Sequence, residues 1–275
     1  MNSSIAFIGG GNMAQAIVGG LLKKGCAAER LFVLEVKAAA RARWAAWSVA
    51  CADTWPVDKR FDAVVLAVKP QQMEAALRPL ADHLRDSLII SIAAGVPIVR
   101  LSEWLGGHTR IVRSMPNLPA MIGEGMTAAI TFPEAHENDR RLTEEVLQAC
   151  GEFIWVAEEP MLNAITAISG SGPGYIFYFM EWLEKAARDL GFSAEDAHTL
   201  VVQTFKGSAL LAAQSAEGFD VLRERVTSPG GTTAAALEAM EQADVGRGIF
   251  HAANAAHKRS VLLLSSLENK VDDDA

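Results

Sequence analysis

Near the start of the chain, Gly9-Gly10-Gly11-Asn12-Met13-Ala14 follows the short apolar run Ile5-Ala6-Phe7-Ile8 and leads into a helical stretch, 14–24. The pattern is G-x-G-x-x-A between a strand and a helix, and position is what gives such a motif its weight. The first glycine permits a tight turn, the second lets backbone approach a pyrophosphate, and small Ala14 lets helix and strand pack closely. The helix N-terminus, with its unsatisfied N–H groups, would then face the phosphates of a dinucleotide. Ile8, Gly9, Gly10, Gly11, Asn12 and Met13 are therefore candidate cofactor-binding residues. A glycine-rich turn without a ligand is the plainer alternative, and the flanking elements weigh against it.

The next hundred residues fit an α/β fold. Strand-like runs at 31–35, 63–68, 88–92 and 110–115 alternate with helical stretches, and Ala63-Val64-Val65-Leu66-Ala67-Val68 has no polar face. A strand of that kind is buried under helices on both sides, which predicts a Rossmann-like, doubly wound parallel sheet. The runs 125–132 and 153–156, with a polar helical stretch 138–148 between them, should extend the same sheet. From 161 to 267 the pattern turns helical and Ala-rich. A chain of 275 residues is long enough for two domains. We place them at 1–158, dinucleotide-binding, and 159–275, all-helical. Helical stretches 175–190 and 196–216 carry more apolar residues than a small helical unit can easily bury, so they form either a dimer interface or an ordinary core. The acidic tail Asp272-Asp273-Asp274 is expected to be solvated and frayed.

Bulk properties exclude several classes. A formal net charge of -8 opposes a phosphate backbone, so no nucleic-acid partner is expected. Cys26, Cys51 and Cys150 form no CxxC pair, and His251 and His257 lie six apart on a helical stretch, so neither a disulfide framework nor a metal site is indicated. The first apolar run is too short for a signal peptide and no run reaches membrane-spanning length, which points to a cytoplasmic protein with no membrane partner.

The second strand ends at Glu35, where an acid accepts hydrogen bonds from an adenosine ribose and favours NADH. Lys37, Arg41 and Arg43 follow at once and could instead meet the 2'-phosphate of NADPH, or form a solvated helix face. NADP(H) and NAD(H) both stay open as the cofactor. Ala67-Val68-Lys69-Pro70 should reach the carboxyl edge of the sheet and line the nicotinamide side. Ser91-Ile92-Ala93-Ala94-Gly95 does the same after the next strand, with Ala93 and Ala94 leaving room for a flat ring. Either segment could be only a tight loop.

Far downstream, Val226-Thr227-Ser228-Pro229-Gly230-Gly231-Thr232-Thr233 reads as a turn that opens a helix. Its N-terminus suits a small carboxylate, and the hydroxyls of Ser228, Thr232 and Thr233 can bond a nitrogen or oxygen beside it. A capped helix start without a ligand is the alternative.

The run Thr227 to Thr233, continued by Leu237-Glu238-Ala239-Met240-Glu241, resembles the signature of the pyrroline-5-carboxylate reductase family. It is joined, in the family's order, by Phe7-Ile8-Gly9-Gly10-Gly11-Asn12-Met13-Ala14, Ala67-Val68-Lys69-Pro70, Ser91-Ile92-Ala93-Ala94-Gly95, Met115-Pro116-Asn117-Leu118-Pro119-Ala120 and Ser169-Gly170-Ser171-Gly172-Pro173-Gly174-Tyr175. Gly174 stands where Ala is common, and Glu35 is an unusual acid beside the ribose. The resemblance implies reduction of 1-pyrroline-5-carboxylate, a cyclic imine carboxylate, to L-proline with NAD(P)H. It also implies a helical C-terminal domain that dimerises, with higher homo-oligomers also known in the family. Thr233 corresponds to the threonine that hydrogen-bonds the imine nitrogen and is the candidate catalytic residue. Backbone from Gly230 through Gly231 to Thr232 would hold the carboxylate, with Ser228 beside it and Glu217 at the ring edge. Two other readings remain. Hydroxyacid dehydrogenases with a similar outline place a catalytic lysine early in the second domain, and 162–175 contains none. A non-catalytic NADP(H)-binding sensor would need the 228–233 loop to be blocked.

Overall fold

The computed structural model describes residues 2–133 and 135–268. The chain runs β1 (Ile5–Ile8), α1 (Asn12–Lys23), β2 (Leu31–Leu34), α2 (Ala38–Ala45), β3 (Ala50–Ala52), β4 (Ala63–Leu66), α3 (Pro70–Leu77), β5 (Leu88–Ser91), α4 (Ile98–Trp104) and β6 (Ile111–Met115). It continues through β7 (Gly125–Thr131), α5 (Glu137–Leu147), β8 (Gly151–Trp155) and α6 (Met161–Ile165). The helices α7 (Gly172–Asp189), α8 (Ala194–Ala213), α9 (Phe219–Arg225), α10 (Thr232–Gln242) and α11 (Val245–Glu268) complete it. The acidic residues Asp272–Asp274 lie outside the described residues.

Strand order is β3-β2-β1-β4-β5-β6-β7-β8. The sheet is doubly wound as the alternating pattern predicts, because side chains of each central strand point to opposite faces and both faces are covered. Ile5, Phe7, Val33, Val65 and Ile90 pack with Ile17, Val18 and Leu21 of α1 on one side. Ala6, Ile8, Val64, Leu66 and Ile89 pack with Met73 and Leu77 of α3 and Leu101 of α4 on the other.

Two features of the sheet differ from expectation. The short edge strand β3 is not among the expected strands: the apolar run Val49-Ala50-Cys51-Ala52 is brief and built of small residues, and Ala50, Cys51 and Ala52 are partly or fully exposed. β7 and β8 do extend the sheet, but β7 pairs antiparallel to β6, with Val112 opposite Thr131, and β8 runs parallel to β7. The connection explains the reversal. It is a single 3-10 turn, Leu118–Ile122, closed by Gly123 at φ 84°, too short for the crossover that a parallel pair needs.

The described residues divide into two compact units: those up to Ser171 with those from Ala256 onward, and Gly172–Ala255. A segment beyond β8 is tied to the sheet through Asn117. Its side-chain N–H donates to Ser169 O at 3.0 Å, while its Oδ1 accepts from Met126 N–H at 2.8 Å. Glu159 does a related job. Its Oε1 accepts from buried Arg113 of β6 at 2.6 Å and from Ile98 N–H at the start of α4 at 2.9 Å, which compensates a charge placed inside the sheet.

Within the second unit, α7 and α8 pack on each other. Yet no residue of α7 is buried in the single chain. Phe177 is 57% and Trp182 54% exposed, as is 59% of Leu211 on α8. An ordinary core would have covered these side chains. Among the described residues no helix is long and apolar enough to cross a membrane.

Candidate active site

The chain leaves β1 to form β2 and β3 on one side, then returns to place β4 on the other, so β1 and β4 are neighbours across the point where the winding reverses. Ligands of open α/β sheets bind at the carboxyl ends of the strands at such a point. Gly9 and Ala67 stand there, one residue past their strands, and Ala67 N–H donates to Ile8 O at 2.8 Å. Gly9 adopts φ +99°, and a Cβ on it would lie 2.8 Å from Ala67 O and 2.9 Å from Val68 Cγ1. The two strand ends are thus closed on each other by the absence of a side chain.

Gly11 has a different task. It is the N-cap of α1, with no side-chain cap and no acidic residue in the first turn, and nothing lies within 4 Å of where its Cβ would be. Open space therefore stands over a helix start whose donors are left to a ligand. Asn12 is exposed and Met13 half-buried in that first turn. These features fit the pyrophosphate of a dinucleotide. Glu35 lies just past β2, and its carboxylate accepts from Gly10 N–H at 3.1 Å and Lys37 N–H at 2.9 Å.

The remaining cofactor candidates are unequal. Lys69 is the exposed N-cap of α3 and Pro70 its first residue, where a proline loses no hydrogen bond. Ala94 is exposed, whereas Ala93 is 6% exposed and packed in the core, so only its backbone could meet a ring.

In the second unit, Pro229-Gly230-Gly231 makes the turn that the sequence predicts. Gly230 adopts φ +69°, Gly231 is the N-cap of α10, and this helix also lacks a side-chain cap and any acid in its first turn. Gly231 N–H donates to Ser228 O at 3.0 Å. That N–H is committed within the turn, so an anion at this helix start would meet the backbone of Thr232 and Thr233 instead. Ser228 and Thr232 are exposed and Thr233 is half-buried. Glu217 Oε1 pairs with Arg225 at the end of α9 at 2.6 Å, while its Oε2 is buried without a hydrogen-bond partner among the described residues.

The thiols offer no alternative chemistry. Burial pushes the Cys150 pKa up to about 11 and also raises those of Cys26 and Cys51, so none is activated as a nucleophile. Sequence reasoning assigns no role to Asn117, Glu159 or Trp44. The one signal in the sequence is Asn117 itself, a polar residue just past an apolar strand, since buried amides are kept for the hydrogen bonds they make.

Comparison with known proteins gives these elements a context. Residues 159–263 match the family model described as pyrroline-5-carboxylate reductase dimerisation, and residues 4–95 match one described as NADP oxidoreductase, coenzyme F420-dependent. A pyrroline-5-carboxylate reductase of Haemophilus influenzae is 40% identical, over 93% of this chain and 96% of its own. A solved pyrroline-5-carboxylate reductase from Coxiella burnetii superposes with a TM-score of 0.90 at 37% identity, covering 96% of this chain and 99% of its own. The crystal structure of Plasmodium falciparum pyrroline carboxylate reductase with NADP bound gives a TM-score of 0.81 at 28% identity, covering 96% of this chain and 98% of its own.

Proposed function

This chain belongs to the pyrroline-5-carboxylate reductase family, and from that premise we propose that it reduces 1-pyrroline-5-carboxylate to L-proline with NAD(P)H. The observation that carries the reading is the 228–233 turn, which ends in an uncapped, acid-free helix start beside three hydroxyl side chains.

The nicotinamide cofactor supplies the hydride that C5 of the imine ring accepts. Gly9, Gly10, Gly11, Asn12 and Met13 would hold its pyrophosphate, with Ile8 beneath. Glu35 would meet the adenosine ribose, and Ala67, Val68, Lys69, Pro70, Ala93 and Ala94 would border the nicotinamide. In the second unit, the N–H groups of Thr232 and Thr233 and the positive end of the α10 dipole bind the substrate carboxylate. Ser228 Oγ and the Gly230 backbone border it. Thr233 Oγ accepts a hydrogen bond from the protonated imine nitrogen, favouring the electrophilic iminium, with solvent as the proton source. Positioning and this single bond suffice, since iminium reduction needs no covalent intermediate. Glu217, whose Oε1 pairs with Arg225, would offer its Oε2, unpartnered among the described residues, at the ring edge.

The test is oxidation of NADPH and NADH, followed by the loss of reduced-nicotinamide absorbance, by purified protein with the imine. Substrate-dependent decay is expected. Cofactor binding without turnover would instead favour a sensor, and faster oxidation of 3-hydroxyacids would favour a dehydrogenase.

The protein acts as a homodimer joined through its helical region, in the cytoplasm and without a nucleic-acid partner. In support, an apolar groove on the second unit, lined by Tyr175, Tyr178, Trp182, Met240 and Ile249, lies among exposed apolar side chains. Light scattering reads the full assembly, including any association of dimers into larger homo-oligomers. Trp182→Glu places a charge in the groove and is expected to weaken the dimer at least roughly 30-fold, about 2 kcal/mol. An unchanged mass at all dilutions would remove this face from the interface.

A further inference from the structure

We propose that this chain prefers NADH to NADPH and that Glu35 sets the preference; the inference rests on the dinucleotide-binding role proposed for the β1–α1 turn. The Glu35 carboxylate is held in place from two sides, by Gly10 N–H at 3.1 Å on Oε2 and by Lys37 N–H at 2.9 Å on Oε1. It is therefore fixed to the same glycine turn whose next residue, Gly11, opens the space for the pyrophosphate. A carboxylate only accepts, and each oxygen here keeps capacity beyond the bond it already receives. Ribose hydroxyls can donate to it. A 2'-phosphate offers only acceptors and negative charge, so at that place it meets repulsion and no hydrogen bond.

The cation best placed to reverse this is already used. One terminal nitrogen of the Arg41 guanidinium donates to Glu35 O at 3.1 Å and to Val36 O at 3.0 Å, and the other lies 3.4 Å from Asp53 Oδ2. Arg41 thus binds the backbone beyond β2 and is balanced by an acid. Trp44 closes the floor. It is fully buried, and its indole nitrogen lies 2.8 Å from where a Cβ on Gly10 would sit, with Glu35 Oε2 at 3.1 Å from the same point. The carboxylate cannot withdraw in that direction to make room for a phosphate. Lys37 and Arg43 remain, both exposed, where solvent screens their charge.

The experiment is a fluorescence titration of wild type and Glu35→Gln with NADH and NADPH without imine, accompanied by kcat/KM for each cofactor with pyrroline-5-carboxylate. Wild type is expected to bind NADH about tenfold or more tightly than NADPH. Glu35→Gln keeps the shape and one acceptor while removing the charge, and should move the ratio toward NADPH by about tenfold, mainly through a lower Kd for NADPH. Tighter binding of NADPH by the wild type would overturn the inference even if the variant failed to fold, and so would an unchanged ratio in a folded Glu35→Gln. Because the titration needs no imine, NADH preference without turnover would sink the proposed reaction and leave the cofactor assignment standing. Turnover with NADPH preferred would do the reverse.

Discussion

Thr233→Ala is expected to lower kcat with pyrroline-5-carboxylate by roughly 10- to 150-fold, the worth of about 1.5–3 kcal/mol for a hydrogen bond to a charged group. The hydroxyl favours the protonated iminium, the form that accepts hydride, over the neutral imine, so the loss should fall on kcat more than on cofactor affinity. Thr233 is the second residue of α10, after N-cap Gly231 and first residue Thr232. Alanine is a good helix former at that position, and the turn keeps its Gly231 N–H to Ser228 O bond, so the fold should survive. Thr233→Ser restores the hydroxyl and should recover most of the rate. The measurement is steady-state kinetics of both variants, with far-ultraviolet circular dichroism as the check on folding. If Thr233→Ala keeps the wild-type kcat and KM, the hydroxyl has no part in the reaction.

The legibility of each element in the sequence depends on the range over which its signal acts. The cofactor turn is readable because its meaning is local: a strand, a glycine at positive φ, an open glycine and a helix start lie within a few residues. The α10 start is readable for the same reason, since Pro229, Gly230 and Gly231 dictate a turn wherever they occur. Helix and strand positions follow from periodicity, and the shifts are confined to ends, as where the second strand stops at Leu34 and leaves Glu35 free to reach Gly10.

Features hidden from the sequence depend on partners far along the chain. The direction of β7 is fixed by pairing with β6, and an apolar run looks the same in either direction. The edge strand β3 exists because Phe32, Val33 and Leu34 present an open ladder to it. Arg41 reads as a phosphate-binding cation or as part of a solvated helix face, and neither reading announces that its guanidinium donates to two backbone carbonyls. Glu217 reads as a substrate neighbour, and what its residue type does not announce is that one oxygen pairs with Arg225, eight residues on, while the other stays buried without a partner among the described residues.

The clearest separation of fold from function should come from two glycines that are two residues apart. Gly9→Ala is expected to destabilise the protein by about 3 kcal/mol, from a backbone conformation that L residues disfavour together with overpacking against fixed atoms. The clash is with backbone, since the new methyl would lie 2.8 Å from Ala67 O and 2.9 Å from Ala67 C, and β1 and β4 would have to part at the centre of the sheet. Gly11→Ala should behave in the opposite way. Gly11 has φ -72°, which any residue adopts, and its Cβ would meet nothing within 4 Å, so only the poorer N-cap is lost and stability should fall by no more than about 1 kcal/mol. The methyl would, however, fill the space over the α1 N-terminus through which a pyrophosphate approaches. Cofactor Kd should therefore rise at least roughly tenfold for NADH and NADPH alike, leaving their ratio near the wild-type value. Urea denaturation of both variants, paired with cofactor titration of Gly11→Ala, checks the division. A Gly11→Ala protein that binds either cofactor as tightly as wild type would mean that the pyrophosphate does not pass over this helix start.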